Sequence, residues 1–136
     1  MSPKILSLEL DDWRSMREHV DACLPNEACG FLFGSGGKVR VVIPVTNIDH
    51  SPFRFRMDPK EQIEAMFRME AEGYELIAIF HSHPRGPQGP SETDVAEAAY
   101  PEAFYLVWAP DGADWGCRAF TLATDGPREI PIHILK

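Results

Sequence analysis

The sequence predicts an α/β or α+β fold, a mixed sheet flanked by about three helices. Three observations carry this expectation. Leu76 to Phe80 is a continuous apolar run of strand length, and Val39 to Val45 is rich in β-branched residues. Between and before these lie two stretches with apolar side chains at three- and four-residue spacing, the period of an amphipathic helix. Strand and helix patterns alternate along the chain, as they do when helices cover a sheet.

The elements follow in order. Ile5 to Leu10 alternates like a short strand. Asp11 or Asp12 then offers a cap for a helix to about Cys23, with Trp13, Met16, Val20 and Leu24 on one face, and Pro25-Asn26 stops it. Glu27 to Phe33 reads as a strand closed by the turn Gly34-Ser35-Gly36-Gly37, and Val39 to Val45 as the next strand, with Pro44 placing its end near a sheet edge. After a loop at Asn47 to Pro52, Phe53 to Met57 reads as a strand. Asp58 before Pro59 starts a second helix, with Ile63, Met66, Phe67 and Glu70 on one face and Gly73 at its end. Tyr74 to His83 is a central strand, and Arg85 to Pro90 is a Pro/Gly loop. Ser91 caps a short helix from Glu92 to about Tyr100. Phe104 to Trp108 is a strand, Asp111-Gly112 a turn, Trp115 to Leu122 a hairpin partner and Ile130 to Leu135 a last, edge-like strand.

A chain of 136 residues with 44% apolar and 25% charged side chains is expected to form one domain over residues 1–136. It buries roughly two-thirds of its unfolded surface without a metal or disulfide staple. A metal would therefore be there for chemistry. The net charge of −8 and the lack of a Lys/Arg cluster exclude a phosphate-backbone partner, so no nucleic acid is expected. No run approaches the ~18 apolar residues of a membrane span. The cysteines, Cys23, Cys29 and Cys117, are scattered and odd in number, which fits a reduced cytoplasmic protein with small buried thiols.

The stretch that carries chemistry is His81-Ser82-His83-Pro84, six residues, then Ser91-Glu92-Thr93-Asp94. Residues two apart on a strand share a face, so His81 and His83 converge where an apolar strand meets a loop. Two imidazoles on one face are two of the three protein ligands that a catalytic zinc keeps, the fourth position being left for water. Asp94 falls on the first turn of the helix that Ser91 begins, and supplies a third ligand. Ser91 and Asp94 also read as a capping box, and the two roles are compatible. The histidines alone equally suit a polar loop with backbone partners. Glu27 heads an apolar strand, where its charge is costly unless used or paired. It is either a solvated strand-end carboxylate or the base that takes the water's proton. Ser91 also has a hydroxyl to offer an oxyanion. His19 and His133 read as surface residues, and His50 lies in a loop that could border the cleft. Phe104 and Trp108 read as core, with the channel for a substrate tail as their other reading.

Pro-x-Glu-x-Cys-Gly-x-Leu-x-Gly followed by His-Ser-His-Pro-x6-Ser-x-x-Asp resembles the JAMM (MPN+) metalloprotease family, from Leu6 to about Leu122. The resemblance implies a cytidine-deaminase-like mixed sheet, zinc on His81, His83 and Asp94, Glu27 as acid/base and Ser91 at the oxyanion. It also implies cleavage of peptide or isopeptide bonds after the C-terminal glycines of ubiquitin-like proteins. With 53 residues between Glu27 and His81, the chain is similar to the compact stand-alone prokaryotic type, some of which process sulfur carriers. Three alternatives stand beside this reading: a non-catalytic MPN scaffold, a zinc hydrolase of another amide, and a deaminase. The deaminase would require His-x-Glu and Pro-Cys-x-x-Cys, and the sequence has neither.

Overall fold

The computed structural model describes residues 5–123 and 125–136. β1 (Leu6–Glu9) leads straight into α1 (Leu10–Cys23). Glu9 rather than Asp11 or Asp12 occupies the cap position, with no side-chain cap bond. The two aspartates lie in the first turn, where they complement the positive end of the helix dipole. Met16 and Val20 are buried and Trp13 packs against the core, but Leu24 lies past the helix end and is 47% exposed. β2 (Cys29–Ser35) and β3 (Lys38–Val45) form a hairpin. Its turn residues Gly36 and Gly37 both take positive φ, 59° and 76°, as a tight two-residue connection with native twist requires.

The segment Phe53–Met57, expected as a strand, is a loop carrying only a bridge between Asn47 and Met57. Its backbone groups bond instead to the Asn47 side chain: Arg56 N–H donates to Oδ1 and the Arg54 carbonyl accepts from Nδ2. α2 (Pro59–Ala71) starts as expected, with the Asp58 carboxylate accepting from the N–H groups of Lys60 and Glu61. Its buried face differs from the expected one. Ala65 and Met69 are buried while Ile63 and Phe67 are 57% and 70% exposed. The helical period holds but its phase is rotated, because small Ala65 brings the axis close to the sheet.

β4 (Glu75–Ser82) is followed by α3 (Glu92–Ala96), which is shorter than expected. Tyr100 precedes Pro101, which disfavours helical backbone, and both backbone groups of Tyr100 bond to the Tyr105 hydroxyl. β5 (Phe104–Asp111) and β6 (Asp114–Ala123) form the expected hairpin. The last expected strand, Ile130 to Leu135, is β8 (Ile132–Leu135), an edge strand as expected; before Pro131 lies a further strand that was not expected, β7 (Gly126–Ile130).

The sheet order is β7-β6-β5-β4-β2-β3-β1-β8. β4 and β5 are parallel, as are β1 with β3 and with β8, and the remaining pairs are antiparallel. β7 and β8 hold opposite edges although one residue separates them, so the sheet curls until its two edges approach at Pro131. One core gathers α1 side chains with Leu32, Phe80, Leu106 and Trp108. The other joins Ala65 and Met69 of α2 to Phe31, Phe33, Ile79 and Tyr105. The sheet is thus sandwiched between helices, the expected mixed α/β arrangement. Among the described residues no helix is long and apolar enough to cross a membrane.

Candidate metal centre

The site forms at the C-terminal end of β4, in the middle of the sheet. His81 lies opposite Cys29 of β2 and Val107 of β5. Beyond the strand, His83 N–H donates to the Trp108 carbonyl at 2.7 Å, which keeps the chain extended for one more residue. Both imidazoles therefore face the same way. Their Nε2 atoms are 3.1 Å apart, and each is 3.0 Å from Asp94 Oδ2. His81 is 1% and His83 5% exposed.

α3 delivers the aspartate. Ser91 Oγ accepts from Asp94 N–H at 3.0 Å, and Asp94 Oδ2 accepts from Ser91 N–H at 2.8 Å, a reciprocal capping box. Capping and convergence on the histidines coexist, because one carboxylate oxygen faces both. The Ser91 hydroxyl proton is not consumed by the cap, since Oγ serves there as acceptor.

Glu27 sits two residues before β2, outside the strand in which it was expected, and is 3% exposed. Its N–H donates to the Ser51 carbonyl at 2.8 Å. One residue on, Ala28 N–H donates to Ser82 Oγ at 2.8 Å and the Ala28 carbonyl accepts from Ser82 N–H at 3.1 Å. A Glu27 carboxylate oxygen and the two imidazoles lie within 4.8 Å of one another, while its Oε1 has no hydrogen-bond partner. Burial, opposed by His83 and reinforced by Asp94, pushes the Glu27 carboxyl up to about 8.

These groups suit a cation. His83 Nδ1 is 2.8 Å from the Pro87 carbonyl and must donate to it, so a neutral His83 presents a bare Nε2 lone pair to Asp94. Nitrogen and oxygen electron pairs thus crowd at 3.0–3.1 Å, near the roughly 3.3 Å that separates ligand atoms around a tetrahedral ion with bonds of about 2.0–2.2 Å. The unpartnered Glu27 Oε1 beside them points to the same conclusion. Without a cation a proton fills the role. Burial opposes the His83 imidazolium, but the Asp94 and Pro87 bonds and the charges of Asp94 and Glu27 together outweigh it and the pKa rises. In His81, burial prevails and lowers it. Asp94 is held well below the usual carboxylate range: its bonds to both histidines overcome the opposing effect of burial.

Several surrounding residues escaped the sequence reading. Phe55 stacks on His81 with centroids 4.7 Å apart, and Asn47 is buried beside Glu27. Ser82, expected only to point away, braces Ala28. A pocket of about 340 Å³ opens beside His81 and Asp94, lined by Phe55, Met57, Gln62, Ile79, Tyr100 and Tyr105. Trp108 is fully buried in the core and Phe104 packs against it, so neither forms a channel. His19 is half-buried rather than on the surface, with Nε2 3.1 Å from the Cys29 carbonyl. His50 is exposed and lines a second pocket with Glu27. All three cysteines are free, and burial raises each thiol, so none is a ready thiolate nucleophile.

Comparison with known proteins agrees with this geometry. Residues 10–123 match the family described as prokaryotic homologs of the JAB domain. The chain is 33% identical over 135 residues to the CysO-cysteine peptidase of Mycobacterium tuberculosis, covering 97% of this chain and 92% of that protein. It is 33% identical over 119 residues to the desampylase of Haloferax volcanii, covering 82% and 86%. A solution structure from Desulfitobacterium hafniense superposes with a TM-score of 0.86 at 35% identity, covering 96% of this chain and 93% of that one. A JAB1/MPN domain protein from Archaeoglobus fulgidus, at 17% identity, shares the fold with a TM-score of 0.62 over 96% and 100% of the two chains. With the family match spanning most of its length and the Glu, His-x-His and Ser-x-x-Asp groups gathered at one strand end, this chain belongs to the prokaryotic JAB-domain family, the compact JAMM/MPN type of hydrolase.

Proposed function

We propose that this chain is a zinc-dependent peptidase or isopeptidase that cleaves after the Gly-rich C-terminal tail of a ubiquitin-like or sulfur-carrier protein. The observation that carries the reading is the triangle of His81 Nε2, His83 Nε2 and Asp94 Oδ2 with the buried, unpartnered Glu27 carboxylate beside it. In this reading His81, His83 and Asp94 hold one zinc ion, which supplies Lewis acidity to the scissile carbonyl and the attacking water. The names of the relatives, a CysO-cysteine peptidase and a desampylase, support the substrate class.

The chain's own groups move the proton. Glu27 takes a proton from the water as its oxygen bonds to the carbonyl carbon. It then gives the proton to the amine as the carbon–nitrogen bond breaks. A carboxyl pushed toward neutral pH by burial is suited to both halves of that exchange. The Ser91 hydroxyl donates to the carbonyl oxygen as negative charge gathers there. Pro87, through its carbonyl, fixes the His83 tautomer so that Nε2 remains free for the metal. Three free cysteines agree with a reducing compartment, and we place the activity in the cytoplasm.

The test is a carrier ending in Gly-Gly, extended by a reporter. Cleavage directly after the second glycine is expected, abolished by a chelator and restored by zinc. An intact fusion after incubation with enzyme carrying one zinc per chain overturns the reading.

A further inference from the structure

We propose that Asn47 is a positioning residue for Glu27, holding the base and the aromatic wall of the cleft as one unit. The inference rests on Glu27 being the base. Asn47 is a buried polar side chain, 8% exposed, and every hydrogen-bonding position of its amide on the cleft side is used. Nδ2 donates to the Glu27 carbonyl at 3.0 Å and to the Arg54 carbonyl at 3.1 Å. Oδ1 accepts from Asp49 N–H at 3.1 Å and Arg56 N–H at 3.0 Å.

Those four bonds join two parts of the site that share no element. One is the segment before β2 that carries Glu27. The other is the loop 48–56, whose Phe55 stacks on His81 and whose Ser51 carbonyl accepts from Glu27 N–H. The loop is not held by a sheet ladder: besides the Asn47 bonds it has the bridge between Asn47 and Met57 and ion pairs from Asp49 to the exposed side chains of Arg54 and Arg56. It also contains His50 at φ 44°, a left-handed conformation that a non-glycine side chain adopts only when its surroundings impose it. Asn47 constrains it from the foot of the loop in two ways: His50 N–H donates to the Asn47 backbone carbonyl, and Asp49 N–H donates to the Asn47 side-chain Oδ1. Both backbone polar groups of Glu27 are thus bonded on this side, the carbonyl to Asn47 and the N–H to Ser51 of the loop.

Asn47 touches no reacting atom. Its effect runs through the position of a carboxylate whose proton transfer depends on a fit of about 0.5 Å. Asn47→Asp keeps the size and the acceptor but loses both donations and sets an oxygen against the Glu27 carbonyl. None of the four Asn47 bonds is to His81, His83 or Asp94, so zinc content should stay at the wild-type level. In zinc-loaded, folded Asn47→Asp, kcat should fall by on the order of tenfold or more while KM stays within about threefold. Asn47→Ser, which removes the amide without adding charge, should show the same split in milder form and covers the case in which the aspartate variant does not fold. A residue that only stabilised the fold would lower the melting temperature and leave kcat per folded, zinc-loaded molecule near wild type. That result in either variant overturns the proposal. A second readout needs no turnover. Hydrogen exchange at Glu27 N–H should speed up on the order of tenfold in the variants while Ile79 N–H in β4 is unchanged. Unchanged protection of Glu27 N–H also overturns the proposal. If wild-type enzyme cleaves no carrier, the peptidase reading fails, and the exchange measurement decides the coupling independently.

Discussion

Glu27 keeps a carboxyl group at 3% exposure with one oxygen unpartnered, an arrangement that costs stability whenever the group is charged and no cation is near. Two predictions follow from that residue. Glu27→Gln preserves shape but cannot accept a proton, so zinc content should remain normal while turnover falls roughly 10²–10⁴-fold. A loss smaller than tenfold with normal zinc would remove Glu27 from the base role. In metal-free protein the carboxyl is raised from 4.5 to about 8, so the folded state holds its proton more tightly than the unfolded chain. Its contribution is therefore present below pH 4.5 and is lost as pH rises through about 8. In chelator, the melting temperature of Glu27→Gln minus that of wild type should widen across that interval, and a flat difference would contradict the burial argument. The residues of the proposed centre were legible because strand and helix periods convert spacing into direction: His81 and His83 share a face, and Asp94 follows its cap by three. Asn47, Ser82 and Phe55 were not legible. Asn47 and Ser82 act through bonds to residues 20 and 54 positions away and Phe55 by stacking, and no local period encodes such a contact.

At the scale of the element, the pairing of β2 with β4 decides how far Glu27 stands from the histidines. Gly30 faces Phe80 across that pairing, one position from the Cys29–His81 pair. A Cβ at Gly30 would lie 2.5 Å from two ring carbons of Phe80 and 2.7 Å from the Ile43 carbonyl oxygen. Phe80 is fully buried and Ile43 contributes backbone, so neither yields easily. Gly30→Ala should cost about 1–3 kcal/mol in denaturant unfolding, the usual range for overpacking a core. An unchanged midpoint would mean that the two strands are less closely packed than they are here. Element types were mostly readable from period and punctuation, as in α2 with Asp58-Pro59 at its start. Its phase was not, because Ile63 and Phe67 are larger than the Ala65 that makes the contact. The Phe53–Met57 segment had strand composition, but its partners are Asn47 side-chain atoms, which propensity does not register. β7 was not read from the sequence, since of its residues only Ile130 fell in the last expected strand; at Pro131, which has no N–H to donate, the chain passes from one sheet edge to the other.

Across the whole molecule, curling of the sheet brings its edges together at Pro131, while β4, which carries His81 and leads into His83, stays central and covered on both faces by α1 and α2. The open side of the proposed centre is bounded by segments without regular strand structure: the 48–56 loop, the 84–90 loop and the short α3. Arg85 of the second lies over the ring of Phe53 of the first at 5.3 Å, so the two loops touch. An extended tail of glycines presents only backbone and needs less room between such loops than a chain with bulky side chains. The net charge of −8 adds a weak preference for a basic carrier surface, damped at physiological salt. A carrier fusion whose second glycine is changed to leucine should therefore be cleaved at least about tenfold more slowly than the Gly-Gly fusion, which corresponds to ~1.4 kcal/mol of transition-state binding. Unstructured peptides with the same Gly-Gly junction should also be poorer substrates, because they lack a folded body to dock and must order the tail at the moment of binding. Comparing kcat/KM for the three substrates separates the contributions. Equal rates for glycine and leucine would mean that the loops do not narrow the cleft, and equal rates for peptide and folded fusion would mean that the carrier body contributes nothing. Either result would end the reading of a ubiquitin-like carrier as the substrate while leaving the proposed metal-dependent hydrolysis in place.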